Sequence, residues 1–202
     1  STNNSQWFDQ IFLSTDTNPD GVDAWRNTVI NSSFLAPNEV YSSSTNVKVP
    51  IAYSGSYYII VKTDSSSQVL EDSEGNNVGN IVIPITLSPP PDLQVASVVA
   101  PQNAFSGTTI PVNWTVQNNG IGPVPPEQAS WSDGVYLSAD ATLNTSTDTL
   151  LLTDAHSGTL PVGGSYTRTG VNVSIPASTP GGTYYLFVLT DRSGQVFEHT
   201  NE

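Results

Sequence analysis

The sequence predicts an all-β protein made of two antiparallel sandwiches in tandem, and three observations predict it. Short apolar alternations are separated by Gly, Pro and Asn turn residues along the whole chain, and nowhere does a helical period outlast one turn. Two ordered blocks occur twice. Trp7–Asp16, WFDQIFLSTD, matches Trp131–Asp140, WSDGVYLSAD, and Gly55–Glu71, GSYYIIVKTDSSSQVLE, matches Gly182–Glu198, GTYYLFVLTDRSGQVFE. The second block recurs at a slightly longer offset than the first, which is the signature of an internal repeat with small loop insertions. Finally, 202 residues divide into two units of ordinary domain size, each able to bury a core.

In the first unit, alternation begins at Trp7 and places Trp7, Asp9, Ile11 and Leu13 on one face. Residues 25–35 read as a short strand or an irregular crossing, and Asn46–Pro50 and Tyr57–Thr63 as strands. Lys62 orients the last of these: with Lys62 in water, Tyr58 and Ile60 follow it, and Tyr57, Ile59 and Val61 face the core. Gln68–Glu71 is expected to return as the second arm of a hairpin over Asp64–Ser67, and Val78–Leu87 adds a strand. Ser88–Pro91, SPPP, marks the boundary, because consecutive prolines are stiff, extended and lack ladder donors.

The second unit opens with a strand in PDLQVASVVAP, followed by Thr108–Gln117, a hairpin-type turn at Asn118–Gly120, and strands at Trp131–Ser138, Thr149–Leu152, Tyr166–Ile175, Thr183–Thr190 and Gln195–Glu198. Tyr57 and Tyr184, each near the start of a late strand, suit either a tyrosine corner, which points to an immunoglobulin/fibronectin-III-like topology, or an ordinary buried ring. The domain reading is 1–87, the linker 88–91, and 92–202. Only Ser1–Gln6 precede Trp7, whereas Asp92–Ser130 precede Trp131 and carry two strands; the first unit also continues through Val78–Leu87 where the second stops. Repeat one is therefore expected to lack its opening strands, and repeat two its closing strand.

Charge excludes several functions. The chain has 5 basic and 18 acidic residues, a net charge of −13, which repels phosphate backbones and anionic lipid and attracts cations. No nucleic acid is expected as a partner. No apolar run approaches the about 18 residues of a membrane span, so no membrane insertion is expected. Cysteine is absent, which removes disulfides and thiolate metal sites.

The sharpest candidate site is Asp16, Asn18, Asp20, Val22 and Asp23, in DTNPDGVD. D-x-[DN]-x-[DN]-G is the first half of an EF-hand-type loop, in which alternate oxygens converge on calcium and the Val22 carbonyl supplies a further ligand. Asn27 stands where the closing Glu belongs, Pro19 stiffens the loop and no helices flank it, so a hydrated turn built from the usual turn residues is the alternative. The corresponding loop of repeat two, with Asp140, Asn144 and Asp148, lacks the spacing. Asp133, Asp191 and Glu198, with their twins Asp9, Asp64 and Glu71, read either as paired carboxylates for acid–base work or as loop caps accepting backbone N–H groups; their presence in both repeats favours the caps. His156 and His199 lie in polar surroundings and are expected at the surface, and no catalytic triad can be singled out.

PDLQVASVVAP, VNWTVQNNG, WSDGVYLSAD, HSGTLPVGGSYTRT and GTYYLFVLTDRSGQVFE, taken in order, resemble the CARDB family, the cell-adhesion-related domain of bacterial and archaeal surface proteins. The resemblance covers Pro91–Glu202 nearly throughout and Trp7–Leu87 from mid-domain. It implies immunoglobulin-like sandwiches repeated in a large extracellular or cell-surface protein, no catalytic residues, and an adhesive or spacer role. The alternative is a calcium-dependent carbohydrate- or protein-binding module. The partners expected are further repeats of the parent chain, or other copies joined by strand addition into a filament.

Overall fold

The computed structural model describes residues 2–199 and divides into two compact units, 1–87 and 88–202. Its secondary structure is antiparallel β throughout, apart from two 3-10 turns. In the first unit, β1 (Trp7–Ser14), β2 (Trp25–Asn31), β3 (Gly55–Lys62) and β4 (Val78–Ile85) form one sheet in the order β2-β1-β3-β4. In the second, β5 (Leu93–Val99), β6 (Thr109–Asn118) and β9 (Ser165–Ser174) form a sheet ordered β5-β6-β9. Its other sheet, ordered β10-β7-β8, contains β7 (Ser130–Ser138), β8 (Thr149–Ser157) and β10 (Tyr185–Leu189).

Alternation along β6 sends Ile110, Val112, Trp114 and Val116 inward, while β7 sends Trp131 and Val135 to meet them. With Leu93, Val124, Leu160, Val173, Ile175 and Val196 they make one contiguous core. The second unit is thus a sandwich whose two inner faces interdigitate. Burying such side chains stabilises it by about 1.5–3 kcal/mol each.

In the first unit, β1, β2 and β3 stand where β7, β8 and β10 stand in the second, and β4 adds to the β3 edge. Among the described residues, no second sheet lies opposite. Residues 32–54 hold no strand, so the one expected at Asn46–Pro50 is absent. Its sequence twin is β9, which is held in a ladder by β6; without a neighbour to pair with, an extended segment is not a strand. Instead the segment touches the sheet through two rings. Tyr41 packs edge-on against Trp7 at 5.6 Å, and Tyr53 stacks on Tyr57 at 5.4 Å.

The facing of β3 differs from expectation. Ile60 is 0% exposed and Val61 42% exposed, the reverse of what Lys62 implied. The inference from Lys62 assumes one wet and one dry face, but Ile60 lies directly across from Phe12, and the two bury each other on the face opposite Ile11. The predicted hairpin arm Gln68–Glu71 and the predicted strand Gln195–Glu198 form no strand. Nor is Asn118–Gly120 a hairpin turn: β6 pairs with β5 and β9, and the chain leaves it to cross to the other sheet.

Ser88 and the prolines 89–91 group with the second unit. Proline lacks a donor but keeps its carbonyl, and Pro90 O accepts from Ile121 N at 3.1 Å and Gly122 N at 2.9 Å. The buried Asn118 amide completes the junction. Its Oδ1 accepts from Asp92 N and Gly120 N, and its Nδ2 donates to Gly122 O and Leu160 O. A Cβ at Gly122 would lie 1.8 Å from Pro89 O, so only glycine admits this contact.

Candidate functional site

The repeated polar residues meet in one constellation per unit. Asp133 faces inward from β7 beside Trp131 and is 0% exposed. Its Oδ2 accepts from Trp114 Nε1 at 2.8 Å and from Tyr166 Oη at 2.7 Å, and its Oδ1 accepts from Thr190 Oγ1 at 2.9 Å. Trp131 Nε1 donates to Tyr166 Oη at 3.2 Å. These donors come from both sheets, β6 and β9 on one side and the end of β10 on the other. One buried carboxylate therefore ties the two layers together, with three donors in place of its water.

The first unit repeats the design with Asp9. Tyr41 Oη donates to Oδ2 at 2.6 Å, Thr63 Oγ1 to Oδ1 at 2.8 Å, and Trp7 Nε1 reaches Tyr41 Oη at 3.4 Å. Tyr41 thus stands for Tyr166 and Thr63 for Thr190. The Trp114 donor has no counterpart among the described residues of this unit; a weaker bond from Asp64 N, at 3.3 Å, reaches Oδ1. Burial raises the phenol pKa of both tyrosines, and the adjoining Asp133 or Asp9 adds to it.

Asp64 and Asp191 cap turns. Both have left-handed backbones, φ 42° and 40°, which an Asp tolerates better than most residues. Asp64 accepts from Gln68 N and Val69 N, and Asp191 from Gln195 N and Val196 N, all at 2.7–2.8 Å. Glu198 accepts from Leu93 N, and Glu71 from Asn77 Nδ2 at 2.7 Å. Carboxylate oxygens of Asp64, Glu71 and Glu74 lie within 4.8 Å of one another, and the Asn77 amide donates to the two glutamates.

The five residues suggested for calcium lie on the loop between β1 and β2. Asp16 Oδ1 accepts from Asn18 N at 2.7 Å, Asp20 Oδ1 from Val22 N at 2.8 Å, and Asp23 Oδ2 from Asp20 N at 2.7 Å. Asp20 and Asp23 are thereby brought together, while Val22 points to solvent. The twin loop is built alike: Asp140 Oδ1 accepts from Thr142 N, Asn144 Oδ1 from Ser146 N, and Asp148 Oδ2 from Asn144 N. Both loops start from a buried serine, Ser14 or Ser138, whose Oγ accepts the Asp16 or Asp140 amide. The second loop shares this shape although it lacks the ligand spacing, so the shape is a feature of the hairpin in both units.

His156 is the largest departure from the sequence reading. It is buried, 8% exposed, with its ring 4.0 Å from both the Trp131 and the Tyr166 rings. Neither ring nitrogen has a hydrogen bond of normal geometry. Burial lowers its pKa, and the Arg168 guanidinium lowers it further. That guanidinium pairs with Asp154 at 2.5 Å and lies 5.4 Å above the Tyr166 ring. The other histidine, His199, is exposed against Phe197.

The tyrosines whose hydroxyls meet the buried carboxylates are Tyr41 and Tyr166, not Tyr57 and Tyr184. A signal for them was present: Y-x5-V-x-V at Tyr41 and Y-x4-V-x-V at Tyr166 are a third repeated element.

Compared with known protein families, the chain matches the CARDB family over residues 7–80 and 90–202. No curated protein matches it.

Proposed function

The chain belongs to the CARDB family, and from that premise we propose that residues 1–202 are a non-catalytic adhesion or spacer module of an extracellular surface, matrix or filament-forming protein. The family is a non-enzymatic, immunoglobulin-like one found in surface proteins. One observation carries the reading for this chain: the acids that recur between the units are spent on internal bonds. Asp133 and Asp9 brace the interior, and Asp191 and Asp64 hold turns. Carboxylates engaged by fixed internal donors are held as structural acceptors rather than presented to a substrate. No helix among the described residues is long and apolar enough to cross a membrane.

The test is to compare the parent chain with Asp133→Asn for melting temperature, mechanical unfolding force, and turnover of glycan and peptide substrates. A scaffold role predicts lower melting temperature and unfolding force, with no turnover in either protein. Turnover in the parent that Asp133→Asn abolishes without moving the melting temperature would overturn the reading. Calcium-dependent capture by the Asp16–Asp23 loop is the competing reading. A glycan array probed with and without calcium, using the parent and Asp20→Ala, decides between the two.

A further inference from the structure

We infer that the second unit carries a binding site for a neutral sugar, in a cavity between the β7–β8 hairpin and the loop that leads into β10. Three observations build it.

The first is the cavity, of about 330 Å³, a size that admits a single pyranose ring. Its walls come from the end of β7, the loop after it, the start of β8 and the loop between β9 and β10. All of them lie between positions 137 and 184, so neither end of the chain bounds the site.

The second is the ring. Tyr184 lines the cavity, and among the described residues no other ring stacks on it. Its counterpart Tyr57 is covered: the Tyr53 ring lies on it, with centroids 5.4 Å apart and planes within 13° of parallel. Residues 50–54, PIAYS, bring Tyr53 there, and they correspond to the longer run 174–181, SIPASTPG, which holds no aromatic residue. In the first unit β4 is already in place beside β3, so the ring on Tyr57 comes from the loop and not from a neighbouring strand. The first unit thus supplies from its own chain the stacked ring that the second lacks.

The third is the polar rim. Thr147, Asp148, Thr149, Ser178 and Thr179 set four hydroxyls and a carboxylate around the cavity. Asp148 Oδ2 accepts from Asn144 N at 2.7 Å, while Oδ1 and the four hydroxyls have no protein partner among the described residues. No cationic side chain lines the cavity, and the net charge of −13 disfavours an anionic ligand. A bare aromatic face with hydroxyls and a carboxylate about it suits a neutral pyranose. The C–H face of the sugar lies on Tyr184, and its hydroxyls donate to Asp148 Oδ1 and share bonds with Ser178 and the threonines. This goes beyond the scaffold role, and it is separate from the Asp16–Asp23 loop, which lies in the other unit and would need calcium.

The experiment titrates the isotope-labelled 202-residue chain with the methyl glycosides of glucose, mannose and galactose, in the presence of a chelator, and follows backbone amide shifts. At least one glycoside should give saturable shifts confined to residues 137–149 and 176–184, with a dissociation constant on the order of millimolar for so small a ligand. Methyl glucuronide should bind more weakly than that glycoside. Tyr184→Phe should keep the binding, and Tyr184→Ala should weaken it about ten-fold by removing the stacked face. Should Tyr184→Ala unfold the unit, Thr179→Tyr gives a second test. It brings a ring into the cavity, as Tyr53 does beside Tyr57, and should block binding while the melting temperature holds. The proposal is overturned by no saturable shift with any of the three glycosides, by shifts that map to residues 16–23, by tighter binding of the glucuronide, or by binding that survives both Tyr184→Ala and Thr179→Tyr. None of these outcomes touches the melting and unfolding comparison for Asp133→Asn, on which the scaffold role is judged separately.

Discussion

The Tyr166 hydroxyl lies 2.7 Å from Asp133 Oδ2, at the point where the two sheets of the second unit face each other, and Tyr41 stands 2.6 Å from Asp9 in the same relation. Because this pair joins elements far apart in sequence, its strength should be visible in the stability of each unit separately.

Asp133→Ala removes the shared acceptor of three donors and leaves them buried. A loss of about 3–5 kcal/mol is expected in the second unit, the range for breaking a buried charged network. Asp9→Ala should cost the first unit less, because no indole joins it there. Urea titrations followed by backbone signals from each unit check the order; equal losses would count against it.

Tyr166→Phe should cost about 1.5–3 kcal/mol, by depriving Asp133 of a donor and Trp131 of an acceptor. The phenol also sets an alkaline limit. Its pKa is raised in the folded state, so the neutral form is favoured there, while the unfolded tyrosine ionises near ~10. Stability is complete below that pH and falls as pH rises beyond it. Melts between pH 8 and 11 should show this fall in the parent and a smaller one in Tyr166→Phe.

His156 acts at the other end of the scale. Its folded pKa is depressed, and the unfolded imidazole takes a proton near ~6.5. As pH falls through that value the unfolded chain binds more protons, so stability is complete above it and is lost below. Asp133, Asp154 and Arg168 are the charges around the ring, and burial with Arg168 outweighs the two acids. Denaturation of the second unit at pH 8 and pH 5 should show a drop that His156→Phe reduces. An unchanged drop would assign the acid sensitivity to carboxylates.

Gly122→Ala forces a methyl group into the Pro89 carbonyl and should release residues 88–91 from the second unit. Hydrogen exchange at the Ile121 and Gly122 amides is the readout, with at least ten-fold faster exchange expected. Overpacking of this kind costs about 1–3 kcal/mol.

The fold class was legible in the sequence because a two-residue period and its turn residues report local geometry. The repeated carboxylates were legible for a similar reason, since whole blocks recur around Asp9 and Asp133. What escaped depends on partners remote in sequence. Asn46–Pro50 has strand-forming residues, yet a strand is a property of a pair. Tyr41 sits in a polar run, YSSST, and nothing local says that its hydroxyl meets Asp9. His156 is surrounded by polar neighbours in sequence, but its cross-strand partner is Trp131, and that register places it inside. Ile60 was misplaced by treating Lys62 as a reporter for a whole face when Phe12 was there to cover it.

The stack of Trp131, His156 and Tyr166 makes the second unit its own optical reporter. An imidazole in contact with an indole withdraws excited-state energy most effectively when protonated, and with the ring centroids 4.0 Å apart and the planes tilted by 32° the two are in contact. Emission from Trp131 should therefore dim as the ring takes up its proton while the sandwich is still closed, and should change again, with a red shift, when the sandwich opens. Protonation and unfolding, which a melting curve merges into one number, become two separable signals in the part of the four-tryptophan emission that Trp131→Phe removes, with no dye attached.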